Sequence, residues 1–162
     1  MAGSLQRLLA NDHARLDTLL AAALTADGEI EPDAYGSFRR GLLRHIGIEE
    51  RILFPLLRRA GSDLDLVEQL HGDHALLAAL LVPPPTANEI DALRSTLAAH
   101  NPLEENAGGL YERIEALAGE ALPDLLARVS AFPEPRLAPH ADNDVLRRTI
   151  AQLTREAEER RR

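Results

Sequence analysis

Six histidines in a chain of 162 residues without a single cysteine are the side chains whose types could do chemistry. The absence of thiols excludes disulfides, thiolate nucleophiles, thiolate metal sites and iron–sulfur clusters. Any metal must therefore be met by nitrogen and oxygen. Four of the six, His13, His45, His74 and His100, fall on the apolar stripes of four different predicted helices. His45 with Glu49, and His100 with Glu104, stand four residues apart and share a helix face one turn from each other. Acids fill 26 of 162 positions, and His13–Asp17 and His140–Asp144 show the same spacing, so spacing alone decides nothing.

The elements that must position these groups are helices. Leu5, Leu8, Leu9, Leu16, Leu19, Leu20 and Leu24 recur at steps of three and four, and Asp27-Gly28 ends that segment. A second helix begins near Pro32 and carries Tyr35, Phe38, Leu42, Ile46, Ile52 and Leu53 inward; Pro55 should kink or loosen its last turns before Gly61 closes it. Ser62 with Asp65 resembles a capping box for a third helix, carrying Leu66, Leu70, Leu77 and Leu81 and stopped by Pro83-Pro84-Pro85. Thr86-x-x-Glu89 resembles another, opening a fourth through Ile90, Leu93, Leu97 and Leu103. Gly108-Gly109 breaks the pattern, which resumes through Leu110, Ile114 and Leu117. A short helix follows around 122–132, then a stiff linker with Pro133, Pro135 and Pro139, then a last helix from about Asn143 with Val145, Leu146, Ile150 and Leu153 on one side. No strand-like alternation of useful length occurs. The expected fold is all-α, an up-down four-helix bundle with additional C-terminal helices. Residues 1–132 form the bundle at net −9, and residues 133–162, the linker and last helix, carry net +1.

The chain also repeats internally. Asp12-His13-Ala14-Arg15-Leu16 resembles Asp73-His74-Ala75-Leu76-Leu77, and Arg44-His45-x-x-x-Glu49-Glu50 resembles Ala99-His100-x-x-x-Glu104-Glu105. In an antiparallel bundle, residues equally far from a turn lie level. The midpoint of His13 and His45 falls at Glu29, in the predicted Asp27–Glu31 loop. That of the His45–Glu49 pair with His74 falls between Ala60 and Gly61, and that of His74 and His100 falls at Ala87, beside the Pro83–Thr86 turn. All four histidines thus reach one level. Four imidazoles and two carboxylates inside an apolar bundle cost a few kcal/mol each if left unpaired. A cation relieves that cost. Mixed imidazole and carboxylate donors suit non-heme Fe or Mn, with Zn also possible, and two carboxylates able to bridge favour two ions over one. A metal-free His–Glu hydrogen-bond network is the competing reading.

The order His, His-x-x-x-Glu, His, His-x-x-x-Glu resembles the hemerythrin-like, or HHE cation-binding, domain family, over roughly Leu5 to Leu117. The phrases HIGIEERILFP and HNPLEEN resemble its two His-Glu-Glu segments. The resemblance implies a four-helix bundle holding a non-heme di-iron site, with His13, His45, Glu49, His74, His100 and Glu104 as ligands and the carboxylates as bridges. Such a set fills roughly eight of the twelve positions on two six-coordinate irons, leaving about four for water, an oxo or hydroxo bridge and exogenous ligands. That favours redox chemistry with O2, peroxide or NO over simple carriage. Two departures from the oxygen carriers stand out. Their third helix has a second His one turn away, where this chain offers His71, three residues before His74, as ligand, outer partner or surface residue. After Glu105 the chain reads Asn106-Ala107-Gly108-Gly109-Leu110-Tyr111, which suggests a break or bulge just past the site.

The remaining groups read more plainly. Asp17 orients His13 or sits in solvent; Glu50 and Glu105 face about 100° from their neighbours and are expected to be exposed; Tyr111 reads as a core or surface aromatic, with a hydrogen bond to the site as the alternative; His140 reads as a surface residue of the linker. Net charge −8 argues against a nucleic-acid surface. The longest apolar stretch, Ala75 to Val82, falls far short of the roughly 20 residues of a membrane span, and no targeting segment is evident, so a soluble, cytoplasmic protein is expected. The expected function is a di-iron protein that binds or senses O2, NO or peroxide, or buffers iron. A di-iron oxidoreductase of peroxidase-like detoxification is the alternative, and a metal-free helical interaction protein a third reading. The last helix offers an apolar side to the bundle, to a second copy or to a protein partner.

Overall fold

A computed structural model describes residues 2–162. Eight helices follow in order: α1 Ser4–Ala22, α2 Pro32–Ile48, α3 Phe54–Ala60, α4 Leu64–Leu80, α5 Ala87–Glu105, α6 Leu110–Ala118, α7 Leu122–Ser130 and α8 Asp144–Arg160. Among the described residues there is no strand, only an isolated bridge between Leu24 and Ile30. Helix α1 packs against α2 and α5, α4 against α5, and α8 lies along α4. The chain is an all-helical bundle with added C-terminal helices, as its periodicity predicts.

The core is split. Leu5, Leu9, Ile48, Ile52, Leu53, Phe54, Val67, Leu70 and Ile114 form one apolar cluster. Leu16, Leu20, Phe38, Leu42, Leu77, Leu80, Ile90 and Leu93 form another. In α1, α2 and α4 the change from one cluster to the other falls at His13, His45 and His74, so the polar layer crosses the bundle between two dry regions. Predicted stripe residues bear this out with three exceptions: Leu8, Leu117 and Val145 are 39%, 45% and 64% exposed. Leu146, Ile150, Leu153 and Ala157 make the inner stripe of α8, and Val145 lies to its side.

The expected loosening before Pro55 takes the form of a π-helical turn over Glu49–Leu53. Pro55 has no N–H for an α-helical bond and its ring crowds the carbonyl one turn back. The backbone widens by one residue instead, and the Phe54 amide donates to the Glu49 carbonyl. The second repeat solves its interruption differently. Helix α5 stops at Glu105 and α6 restarts after Gly108, whose φ of 75° lies in the left-handed region. A Cβ on Gly109 would meet the carbonyl oxygens of Glu104, Asn106 and Leu103 at 2.7–2.8 Å. This tight turn folds α6 back onto α1, α3 and α5.

Neither capping box forms as the sequence suggests. Two left-handed residues on either side of Ser62, Gly61 (φ 65°) and Asp63 (φ 55°), turn the chain, and Asp63 rather than Ser62 precedes α4. The Ser62 hydroxyl donates to Asp63 Oδ2 at 3.1 Å. Thr86 does sit at the N-cap of α5, but its hydroxyl donates to the Glu89 carboxylate, which Arg147 of α8 also engages. Helix α8 has the capped start expected near Asn143, whose Oδ1 accepts from the Leu146 amide at 2.9 Å. Because Leu93 is fully buried in the cluster beside the polar layer, Leu93→Ala is expected to cost about 2–5 kcal/mol of unfolding free energy by urea denaturation.

Candidate metal centre

The structure brings His13, His45, Glu49, His74, His100 and Glu104 together, all buried. Each comes from a helix or from the π turn, and each is directed inward by the stripe on which it sits. The rings pair off: His13 and His45 lie 4.5 Å apart between centroids, His74 and His100 4.9 Å. Two groups could each hold an ion, His13–His45–Glu49–Glu104 and Glu49–His74–His100–Glu104, with donor atoms within 4.8 Å of one another. Both carboxylates belong to both groups. Glu49 places Oε1 3.2 Å from His45 Nε2 and Oε2 3.1 Å from His74 Nε2. Glu104 places Oε2 3.2 Å from His13 Nε2 and Oε1 2.9 Å from His100 Nε2.

Around this layer runs a second set of carboxylates. His13 Nδ1 meets Glu105 Oε2 at 3.2 Å, His45 Nδ1 meets Asp12 Oδ2 at 2.8 Å, His74 Nδ1 meets Glu50 Oε1 at 2.8 Å and His100 Nδ1 meets Asp73 Oδ2 at 3.3 Å. An ionised carboxylate can only accept, so each Nδ1 carries a proton and donates. Every Nε2 is thereby aimed inward, where it could donate to a cation, and this is the arrangement that orients ligating imidazoles. Asp73 also accepts from Arg160 and Arg161 at 3.3 and 3.2 Å, which ties the end of α8 to the carboxylate behind His100.

Several expectations change here. Glu50 and Glu105 are not solvent groups: they are 22% and 33% exposed and hold two of the imidazoles. An i+1 residue does point about 100° away, but in a bundle that direction leads to the neighbouring helix. Asp17 lies exposed beside His13 without bonding to it, and Glu105 does the orienting. His71 is exposed and donates to the same Glu50 oxygen as His74, at 2.9 Å, outside both donor groups. His140 is a surface residue as read, its Nδ1 donating to the Val82 carbonyl at 3.1 Å. Tyr111 is wholly buried with its hydroxyl in the layer. Asp12 and Asp73 were legible as part of the repeat, since each precedes its histidine by one residue, yet only the packing shows what they do.

Electrostatics follow from this crowding. Burial presses His45 toward its neutral form, but the Glu49 and Asp12 carboxylates outweigh it and raise its pKa to about 10. His100 rises to about 9, burial being outweighed by Glu104 and Asp73. His74 is raised well above the usual value against the same opposing burial. Burial would raise Glu49 and Glu104, yet the surrounding imidazoles hold both below the usual carboxylate range. Even so, Glu49 Oε2, His74 Nε2 and Glu104 Oε1 are buried beside charged neighbours without a well-aligned hydrogen bond. Two oxygens and a nitrogen so placed, within 4.8 Å of one another, fit a cation.

Two outcomes can be measured. The charged forms of His45 and His100 stabilise the metal-free fold fully below the ordinary imidazole value of 6.5 and lose that contribution as pH rises toward about 9 and 10. The melting temperature of metal-free protein is therefore expected to fall over that window, and metal uptake at neutral pH to release protons, read by calorimetry in buffers of different ionisation enthalpy. Asp12→Asn is expected to weaken metal binding by about 10- to 100-fold in chelator competition, whereas Asp17→Asn leaves it unchanged.

Searches of curated proteins and of solved structures returned no match. The sequence model of the hemerythrin HHE cation-binding domain does match, over residues 4–108. That span covers α1, α2, α4 and α5 with all six inward groups, and the chain belongs to the hemerythrin HHE cation-binding domain family.

Proposed function

We propose that this is a non-heme di-iron protein that binds or senses O2, NO or peroxide, or buffers iron. His13 and His45 would hold one ion and His74 and His100 the other, with Glu49 and Glu104 shared between the two sites. The observation that carries this reading is the sharing of both carboxylates between two adjacent donor groups. The ring of Nδ1 carboxylates supports it, because a mere buried ion-pair network has no need to present every Nε2 to one interior point. Nitrogen and oxygen donors without sulfur suit iron. When bound, the iron pair supplies Lewis acidity, transferable electrons and open coordination positions.

The chain's own residues set the conditions for that chemistry. Asp12, Glu50, Asp73 and Glu105 hold the imidazoles in place, and the two apolar clusters exclude water above and below. A cavity of about 290 Å³ between α1 and α5 reaches the layer, lined by His13, Leu16, Leu20, Leu97, Asn101 and Glu105 among others.

Anaerobic loading with Fe(II) tests the reading, and about two irons per chain are expected. The double variant His45→Ala with Glu104→Ala should lose both. Absence of bound iron, or binding indifferent to that double variant, would remove the proposal. Sustained turnover of peroxide with an added reductant would reassign the protein to the di-iron oxidoreductases.

A further inference from the structure

The two halves of the polar layer are built from matching residues but are not equivalent, and Tyr111 makes the difference. Its phenol oxygen lies 2.7 Å from Glu49 Oε1, 3.1 Å from Glu104 Oε2, 3.1 Å from His45 Nε2 and 3.2 Å from His13 Nε2. It therefore touches every donor atom of one half. The three donor atoms without an aligned hydrogen bond, Glu49 Oε2, His74 Nε2 and Glu104 Oε1, all belong to the other half.

The asymmetry has a cause in the chain. After Glu49-Glu50 the helix continues through its π turn, and Phe54 lies flat against His74, with centroids 5.4 Å apart and planes at 9°. After Glu104-Glu105 the helix stops, Gly108-Gly109 turns the chain, and α6 brings Tyr111 back into the layer. One half faces an aromatic ring with no oxygen. The other faces a hydroxyl. A single O–H proton cannot serve two carboxylates that only accept, so hydrogen bonding alone leaves this contact poorly matched. A cation would satisfy the phenol oxygen and both carboxylates together.

We infer that Tyr111 is a metal ligand, its phenolate oxygen binding the ion held by His13 and His45. This rests on the di-iron reading above. On binding, the phenol O–H bond breaks, an O–metal bond forms and the proton leaves to solvent, with no change of oxidation state. The His13–His45 position thus takes one more anionic oxygen than the His74–His100 position, and the centre is inequivalent by construction.

The test is visible absorption and resonance Raman of the full chain, loaded with Fe(II) and oxidised in air. The chain has two tyrosines, and Tyr35 packs near Phe38 and His140 rather than in the layer. Tyr35→Phe therefore leaves Tyr111 as the sole source of any phenolate signal. A phenolate-to-Fe(III) charge-transfer band with enhanced tyrosine ring modes is expected in wild type and in Tyr35→Phe. Tyr111→Phe should lose it while keeping bound iron. Iron-loaded wild type or Tyr35→Phe without the band, or a band that survives in Tyr111→Phe, overturns the Tyr111 assignment and leaves the di-iron reading standing. Failure of wild type to bind iron overturns both. Should Tyr111→Phe not fold, the Tyr35→Phe spectrum decides alone.

Discussion

Two carboxylates with no solvent exposure, Glu49 and Glu104, held among four buried imidazoles, are the constraint on which the rest of this molecule depends. Charges in such a place are tolerable only when opposite charge meets them with good geometry. Without metal, that charge comes from the imidazoles, and the raised pKa of His45 and His100 records it. A cation would take over the same role while displacing their protons. The layer is thus built to carry positive charge in either form, and the apolar clusters on both sides deny it water.

The outer carboxylates show how the bundle enforces that geometry. Asp12 of α1 holds His45 of α2, Glu50 of the π turn holds His74 of α4, Asp73 of α4 holds His100 of α5, and Glu105 of α5 holds His13 of α1. Each of these acids stands one residue from an inward group of its own helix. It therefore points sideways, to the histidine next door. The ring closes on itself, so the aim of every imidazole depends on the placement of its neighbour helix. Helix α8 joins through Arg160 and Arg161 on Asp73, and Arg15 engages Asp12 from within α1.

An approximate two-fold repeat governs this arrangement, and the departures from it come from backbone. Pro55 forces a wide turn that lets the first His-Glu-Glu helix continue. The Gly108-Gly109 turn ends the second and starts a new one. Side chains five and seven residues beyond the two shared acids, Phe54 and Tyr111, then arrive at opposite halves of one layer with different chemistry to offer.

Much was legible in the residues themselves. Helical periodicity gave the all-α fold, turn residues gave the helix lengths, and these lengths placed His13, His45, His74 and His100 level. Local chemistry also announced the interruption at Gly108-Gly109 and the disturbance before Pro55. Those properties depend on neighbours along the chain, where the spacing rules act. The roles of Asp12, Glu50, Asp73, Glu105 and Tyr111 were of another kind. Each depends on which helix stands beside which and on the angle at which a turn returns the chain. Sequence spacing carries an acid one residue from an inward group only as far as the flank of its helix, and whether that flank meets water or an imidazole is decided by packing alone.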